Sequence, residues 1–395
     1  MVAHRSAATR RLLPLALTLA STLASLAAAC APHAAGGPPG TTRPALKDVF
    51  RDDFRIGTAL SPRVFDGRDS TDVALVARHF NAATPENVLK WGPVHPQPGV
   101  YDFGPADRYV AFAERHGMFV VGHTLVWHSQ TPGWVFEDSA GHPLTRDALL
   151  ARMRDHIEHV VGRYKGRVKG WDVVNEALNE DGTMRQSPWH RIIGDDFVVK
   201  AFEYAHAADP AAELYYNDYN LATPAKRDGA IALAKRIRAA GIPVAAINSQ
   251  DHHKLAANVP SAALVDSMFM AIRAAGFHAN VTELDVDVLP PVTRGNTADV
   301  SARPQPTAAA DPYTAGLPDS VQQQLARRYA ELFAVYEKHR DIIDRVTFWG
   351  VTDATSWLNG FPARGRTNYP LLFDRQGRPK PAFDAVVAAA KAAKR

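Results

Sequence analysis

The chain has 395 residues, 46% of them apolar and 22% charged, so it holds enough hydrophobic material for a large core and is not a disordered chain. Its formal net charge is +4, but Arg5, Arg10 and Arg11 lie near the start, and without these three the 45 basic residues fall to 42 against 41 acidic ones. No basic stripe remains to grip phosphates, which excludes a nucleic-acid partner and suits a neutral polymer.

The three arginines precede an uncharged run over residues 12–29, the layout of a basic n-region and an apolar h-region. Residues 1–29 therefore read as a signal peptide, and the protein is expected to be exported to an extracellular, periplasmic or lipid-anchored position at a bacterial envelope. An uncleaved membrane anchor is the competing reading, since the run is about long enough to span a bilayer. The only cysteine, Cys30, follows three alanines, so no disulfide can form within one copy of the chain. The stretch "LAAAC" (26–30) resembles a bacterial lipoprotein signal, in which the cysteine becomes a lipidated membrane tether; plain cleavage after an Ala-x-Ala site competes with it. Residues 30–46 read as a flexible tether with too few apolar groups to fold.

Residues 47–395 contain no Pro/Ser-rich linker and read as one domain. Eight short apolar or β-branched runs alternate with helical patterns: "FRIGTAL" (54–60), "FNAATPEN" (80–87), "MFVVGHTLVW" (118–127), "VKGWDVVNEA" (168–177), "ELYYNDYN" (213–220), "VAAINSQDHH" (244–253), "ANVTELDV" (279–286) and "VTFWGVTD" (346–353). Between them, Leu149, Met153, Ile157 and Val161 form one helical stripe; Val321, Leu325, Tyr329, Leu332 and Tyr336 form another, with Ser320 and Gln323 as a predicted capping box. Eight strand–helix units predict a (β/α)₈ TIM barrel. A doubly wound sheet would carry a glycine-rich phosphate turn after its first strand, and Ile56-Gly57-Thr58 lacks that spacing. The Pro-, Ala- and Thr-rich segment 290–316 follows the seventh strand and reads either as a long loop on the catalytic face or as a tolerated surface insertion.

Polar residues collect at the ends of these runs, including Glu86, His123, Asn175, Glu176, Asn217, Gln250, His252, Glu283 and Trp349. Barrel closure would bring all of these ends to one rim, where barrel enzymes place their active sites. Any one strand-end carboxylate is more simply a structural ion pair, but coincidence over several strands favours chemistry. Glu176 and Glu283 are the pair that could act together, because glycosidic cleavage needs one carboxylic acid to protonate the leaving oxygen and one carboxylate to attack or to activate water. Asp285 falls on the same strand face as Glu283, and His252 could bridge to both, keeping Glu283 ionised. Trp127, Trp349 and Trp357 at or beyond strand ends could stack on sugar rings. The histidines raise a metal alternative, but the adjacent His252 and His253, and His123 and His128 at an odd separation, should point to opposite strand faces. With no H-x-H pair or H-E-x-x-H motif, neither metal nor cofactor is expected.

"PENVLKW" (85–91), "GHTLVWHSQTPGW" (122–134), "WDVVNEA" (171–177), "YYNDYN" (215–220), "TELDV" (282–286) and "FWGVTDATSW" (348–357) together resemble, in order and spacing, the motifs of the retaining endo-1,4-β-xylanases of glycoside hydrolase family ten. The resemblance covers nearly the whole chain after the tether. It implies Glu176 as acid/base, Glu283 as nucleophile and Asn175 as hydrogen-bond partner of the 2-hydroxyl of the sugar being cleaved. It also implies that His123, Lys90, Trp127, Gln250, His252, Trp349 and Trp357 line the reacting subsite and that Glu86, Asn87 and Lys90 grip the next sugar. The tryptophans would crowd the hydroxymethyl that glucose carries and xylose lacks. Xylan or xylo-oligosaccharides are the expected partners, and the expected working unit is a monomer. A catalytically idle xylan-binding or sensing protein, and a hydrolase of cellulosic or mixed-linkage glucan, are the alternatives. In "SQDHHK" (249–254), Asp251 and His253 depart from the family pattern, and Pro85 departs from the small residue usual before the Glu-Asn pair. The first departure is expected to add charge beside Glu283.

Overall fold

The computed structural model describes residues 43–256, 259–290 and 311–394. The leader, Cys30 and the central part of the 290–316 segment lie outside the described residues. Among the described residues nine strands occur: β1 (Arg55–Leu60), β2 (Ala82–Pro85), β3 (Phe119–Trp127), β4 (Gly170–Asn175), β5 (Glu213–Asp218), β6 (Ala246–Ser249), β7 (His252–Lys254), β8 (His278–Asp287) and β9 (Ile343–Phe348). Their ladders are parallel and run β6-β5-β4-β3-β2-β1-β9-β8. A further ladder between β8 and β6 closes the ring, so eight strands form a barrel wrapped by helices, and β7 extends the C-terminal half of β8. This is the (β/α)₈ fold expected from eight strand–helix units. Its strands are buried on both faces, which is why they read as continuous apolar runs rather than as alternating ones.

The helical stripes also face inward. Leu149, Met153, Ile157 and Val161 are buried on the helix Arg146–Arg163, as are Leu325, Tyr329, Leu332 and Tyr336 on the helix Asp319–Lys338. Val321, at the start of the second stripe, is only half-buried. Leu46 opens a short helix, Leu46–Val49, and is fully buried; next to it, Phe50 packs on Phe54 and Phe333, at ring separations of 5.1 and 5.2 Å.

Two local expectations fail. The helix Asp319–Lys338 has Pro318 as its N-cap in extended conformation (φ −60°, ψ 146°), so Ser320 falls inside the first turn and is not the cap. The sixth run is not one strand: after Ser249 the chain passes through Asp251 at φ 56° and re-enters as β7, paired to β8 at Asp285.

Close packing inside the wall depends on missing side chains. Gly122 on β3 is the register partner of Trp171 on β4, and a Cβ at Gly122 would lie 2.1 Å from the indole ring. Trp171 is fully buried and the strand that carries it is held by ladders on both sides, so little can yield. Gly122→Ala is expected to lower the unfolding free energy by about 1–3 kcal/mol. An unchanged urea midpoint would refute this account of the β3–β4 contact.

Candidate active site

The carboxyl ends of the barrel strands converge on one cleft. Glu86, Asn87 and Lys90 reach it from the segment after β2; His123 and Trp127 from β3; Asn175 and Glu176 from the end of β4. Gln250 and His252 arrive from the turn between β6 and β7, Glu283 from β8, Trp349 from just beyond β9, and Trp357 from the loop that follows. Asp285 and Asn217, both singled out from the sequence, do not line the cleft: Asp285 stands behind His252, and Asn217 bonds to Glu283 and Asn175.

Glu176 sits where β4 gives way to a loop, with φ at 56°, a left-handed conformation that costs a non-glycine residue and persists only when its surroundings hold it. Three contacts do so. Its N–H donates to the Asn217 carbonyl at 2.9 Å, its own carbonyl accepts from Arg185 Nε at 3.1 Å, and the following N–H of Ala177 donates to Tyr216 Oη at 3.2 Å. The side chain is then aimed into the cleft, where Oε2 accepts from Trp127 Nε1 at 2.9 Å. Oε1 accepts from Gln250 Nε2 at 2.9 Å and from Asn175 Nδ2 at 3.2 Å.

Glu283 is tied differently. Oε1 accepts from Asn217 Nδ2 at 2.9 Å, and Oε2 lies 3.3 Å from His252 Nε2. The other ring nitrogen of His252 lies 3.0 Å from Asp285, which also accepts the Trp357 indole N–H at 2.7 Å. Asp285 therefore orients an imidazole and a potential sugar platform at once. Asn217 Nδ2 also donates to Asn175 Oδ1 at 2.9 Å, so one amide links the surroundings of both glutamates.

The two carboxyls respond to burial in opposite ways. Burial, reinforced by the negative charge of Asp218, raises the pKa of Glu176 to about 7 despite the donors from Gln250 and Trp127. Burial would raise Glu283 too, but the His252 hydrogen bond and the nearby His123, His252 and Lys90 outweigh it and hold its pKa below the ordinary value. Burial opposes protonation of His252, yet Asp285 and Glu283 overcome that and push its pKa up to about 10. An imidazolium thus faces Glu283, while neutral amide and indole donors face Glu176. Divergent pKa values in one cleft mark an acid and a nucleophile or base.

The rest of the cleft is organised around these two. Lys90 donates to Asn87 Oδ1 at 2.9 Å and lies over the Trp127 ring at 5.0 Å. His123 pairs with Asp172 at 3.0 Å and meets Trp349 edge-on, with ring centroids 5.5 Å apart. Asp172 also accepts from Asn248, which in turn accepts from Asn280, so a polar chain crosses from β4 through β6 to β8 on the barrel's inner face. Trp357 stacks on Phe361 at 4.6 Å.

The expectation that Asp251 and His253 charge the cleft is not met. Asp251 accepts from Tyr336 Oη at 2.9 Å and from Ser249 Oγ, and His253 contacts Arg328 at 3.2 Å. Tyr336 and Arg328 belong to the helix Asp319–Lys338, so these groups pin the β6–β7 turn to the outer layer. Alternation along the strand is the reason: Gln250 and His252 share the cleft face, so Asp251 and His253 fall on the opposite face, toward the helix. Reasoning from sequence also passed over Gln130, which lines the cleft at φ 50°, and assigned no site role to Asn217 or Asp172. Asp172 had a readable signal, being a carboxylate within an otherwise apolar strand.

A parallel barrel whose carboxyl rim sets a protonated glutamate beside an ionised one, among tryptophans, defines a glycoside hydrolase. The family model for Glycosyl hydrolase family 10 matches residues 45–389, and the chain belongs to that family. It is 44% identical over 345 residues to Endo-1,4-beta-xylanase A of Xylanibacter ruminicola, covering 87% of this chain and 93% of that protein. To the Endo-1,4-beta-xylanase of Geobacillus stearothermophilus it is 42% identical, covering 87% and 98%. Among solved structures, a GH10 endoxylanase retrieved from sugarcane soil metagenome superposes with a TM-score of 0.84 at 47% identity, covering 87% of this chain and 99% of that one.

Carboxyl-resolved ¹³C NMR titration should show Glu176 gaining its proton near pH 7 and Glu283 remaining ionised below pH 4.5. Two carboxyls titrating together would contradict the asymmetry.

Proposed function

We propose that this chain is an endo-acting β-1,4-xylanase that works by double displacement, with Glu176 as acid/base and Glu283 as nucleophile. The observation that carries the reading is the different company of two buried glutamates in one cleft, His252 and Asn217 at Glu283 and the neutral donors of Trp127, Gln250 and Asn175 at Glu176. Glu283 attacks the anomeric carbon as the glycosidic bond breaks, and Glu176 delivers its proton to the departing oxygen. With that proton gone, Glu176 takes one from water, which attacks the anomeric carbon and releases Glu283. The sugar leaves with its original configuration. Asn175, already bound to Glu176 and Asn217, presents its amide where a sugar 2-hydroxyl would lie, a contact that strengthens as positive charge develops on the ring.

Xylan as substrate is supported by the names of the relatives and by the tryptophans. Trp349 is packed against His123, and Trp357 is bonded to Asp285 and stacked on Phe361, so neither ring can readily withdraw from a bulkier sugar. Glu86, Asn87 and Lys90 would hold the next xylose on the non-reducing side. An idle sugar-binding protein would have no use for two glutamates held in different protonation states. Every group the reaction uses comes from one chain, which supports a monomer as the working unit. We further propose export through residues 1–29 and attachment by a tether that starts at Cys30, the point of lipidation, and ends before the buried Leu46. An intact mass of the mature protein equal to that of a plain Ala-x-Ala cleavage product would remove the lipid.

Glu283→Ala should reduce the rate on xylan by roughly four orders of magnitude. Glu176→Ala should lose about 10²–10⁴-fold on xylan, and on a dinitrophenyl xylobioside, whose leaving group needs no proton, added azide should restore turnover by producing a β-glycosyl azide. Reducing-sugar release should favour xylan over cellulose and mannan. Undiminished xylan hydrolysis by Glu283→Ala, or an α-configured first product by NMR, would sink the double-displacement assignment.

A further inference from the structure

We infer that Asp218, held by Lys226 and Tyr216, is a positioning residue that keeps Glu176 protonated and correctly turned from behind the cleft. This rests on the acid/base reading of Glu176 and asks what maintains that role, since the residues bonded to its carboxyl are all donors that favour the ionised form.

Asp218 closes β5 and is fully buried. One of its oxygens accepts the Tyr219 N–H at 2.9 Å and lies 3.0 Å from Lys226 Nζ; the other accepts Tyr216 Oη at 2.5 Å. Burial raises the pKa of Asp218, but each of these contacts brings a donor, the Lys226 ammonium foremost, and favours its carboxylate form. Lys226 is a lysine with no exposed side chain, on the helix Pro224–Ala239. It also lies 3.4 Å from the centroid of the Tyr219 ring and 3.1 Å from Glu180. Burial opposes its charge, but Asp218, Tyr219 and Glu180 raise its pKa above the ordinary lysine value. A buried pair of this kind is weak as a stabiliser, because desolvation offsets most of the attraction. Its retention beside the acid/base points to a use in electrostatics.

Tyr216 connects the pair to the strained backbone. Its hydroxyl donates to Asp218 and accepts from Ala177 N, the peptide that follows Glu176. Asp218 thus fixes the hydroxyl that holds the left-handed turn at Glu176. The loop on the other side is fixed too: Gly182 and Gly229 meet backbone to backbone, so closely that a Cβ on Gly229 would lie 2.5 Å from the Gly182 oxygen. That contact seats Glu180 against Lys226, and Arg185, from the same loop, against the Glu176 carbonyl.

The charged and titratable groups facing Glu176 are Asp218 from β5, Glu283 from β8, Lys90 from the segment after β2, Arg185 on its carbonyl, and Tyr216 and Tyr219 beside Asp218. Those facing Asp218 are Lys226 and Tyr216, with Glu180 beyond Lys226. Of the charges that disfavour a proton leaving Glu176, Asp218 ranks ahead of Glu283. Removing the Asp218 charge should therefore ease ionisation of Glu176, and activity that needs the protonated acid should fail at lower pH.

The experiment compares pH profiles of kcat/KM on xylo-oligosaccharides for the intact enzyme, Asp218→Asn, and Asp218→Asn with Lys226→Met. The double variant keeps no lone buried ammonium and guards against a single variant that fails to fold. In both variants the alkaline limb should move down by about one pH unit. The dinitrophenyl glycoside of xylobiose, whose leaving group needs no proton, should change less than about threefold in kcat/KM at pH 5. An alkaline limb that stays in place, or an equal loss on the dinitrophenyl substrate, overturns the inference. Azide rescue of Glu176→Ala is scored separately: if rescue succeeds while the limb stays, only the Asp218 role is lost, and if rescue fails, the acid/base reading falls with it.

Discussion

Burying two carboxyl groups in one cleft imposes the constraint around which the site is built. Removal from water raises the pKa of both, and two anions at close range cannot both be retained without compensation. The barrel resolves this by giving them different company. Glu283 faces an imidazolium made basic by Asp285, with His123 and Lys90 nearby, whereas Glu176 is held by an indole, a glutamine and an asparagine, with the carboxylate of Asp218 behind it. Neutral donors orient Glu176 without supplying a full positive charge. One desolvated space therefore favours the proton on Glu176 and the charge on Glu283, the division that cleavage of a glycosidic bond requires.

The fold makes that arrangement rigid. Each glutamate is held by the backbone of a neighbouring segment of the wall: Glu176, just past β4, donates to the Asn217 carbonyl of β5, and Glu283, within β8, to that of Gln250 just past β6. Asn217 then bonds side chains on both sides of the cleft, so the spacing between acid and nucleophile is a property of the barrel wall and not of two independent rotamers. Asp285 extends the same economy to recognition. The carboxylate that makes His252 basic also anchors Trp357, so the group that keeps the nucleophile ionised and the ring placed to limit the size of the sugar share one support.

Much of this was legible along the chain. Fully buried parallel strands read as apolar runs, and all eight barrel strands fall within or across the runs identified, so closure follows from their number and their alternation with helices. The strand ends were equally plain, because a polar side chain in an apolar run is conspicuous: Asn175, Glu176, Gln250, His252 and Glu283 all stand out there. The capping of the helix Asp319–Lys338 was misread, since the helix starts ahead of Ser320, with Pro318 at its N-cap. The direction of Asp251 and His253 was misread although alternation, which sets Gln250 and His252 on one face, sends these two to the other. Asn217 stood out as a strand-end polar residue, but its bonds to Asn175 and Glu283 join residues far apart in the chain, and no local pattern announces such contacts.

The sequence by itself determined the class of fold, the strand termini and the identity of the groups gathered there, because burial and backbone periodicity act over a few neighbouring residues. Only the tertiary structure decided which glutamate carries the proton. A pKa depends on charges a few ångströms away in space, and Asp218 comes to bear on Glu176, and His252 on Glu283, only once the sheet has closed and the helices have packed around it.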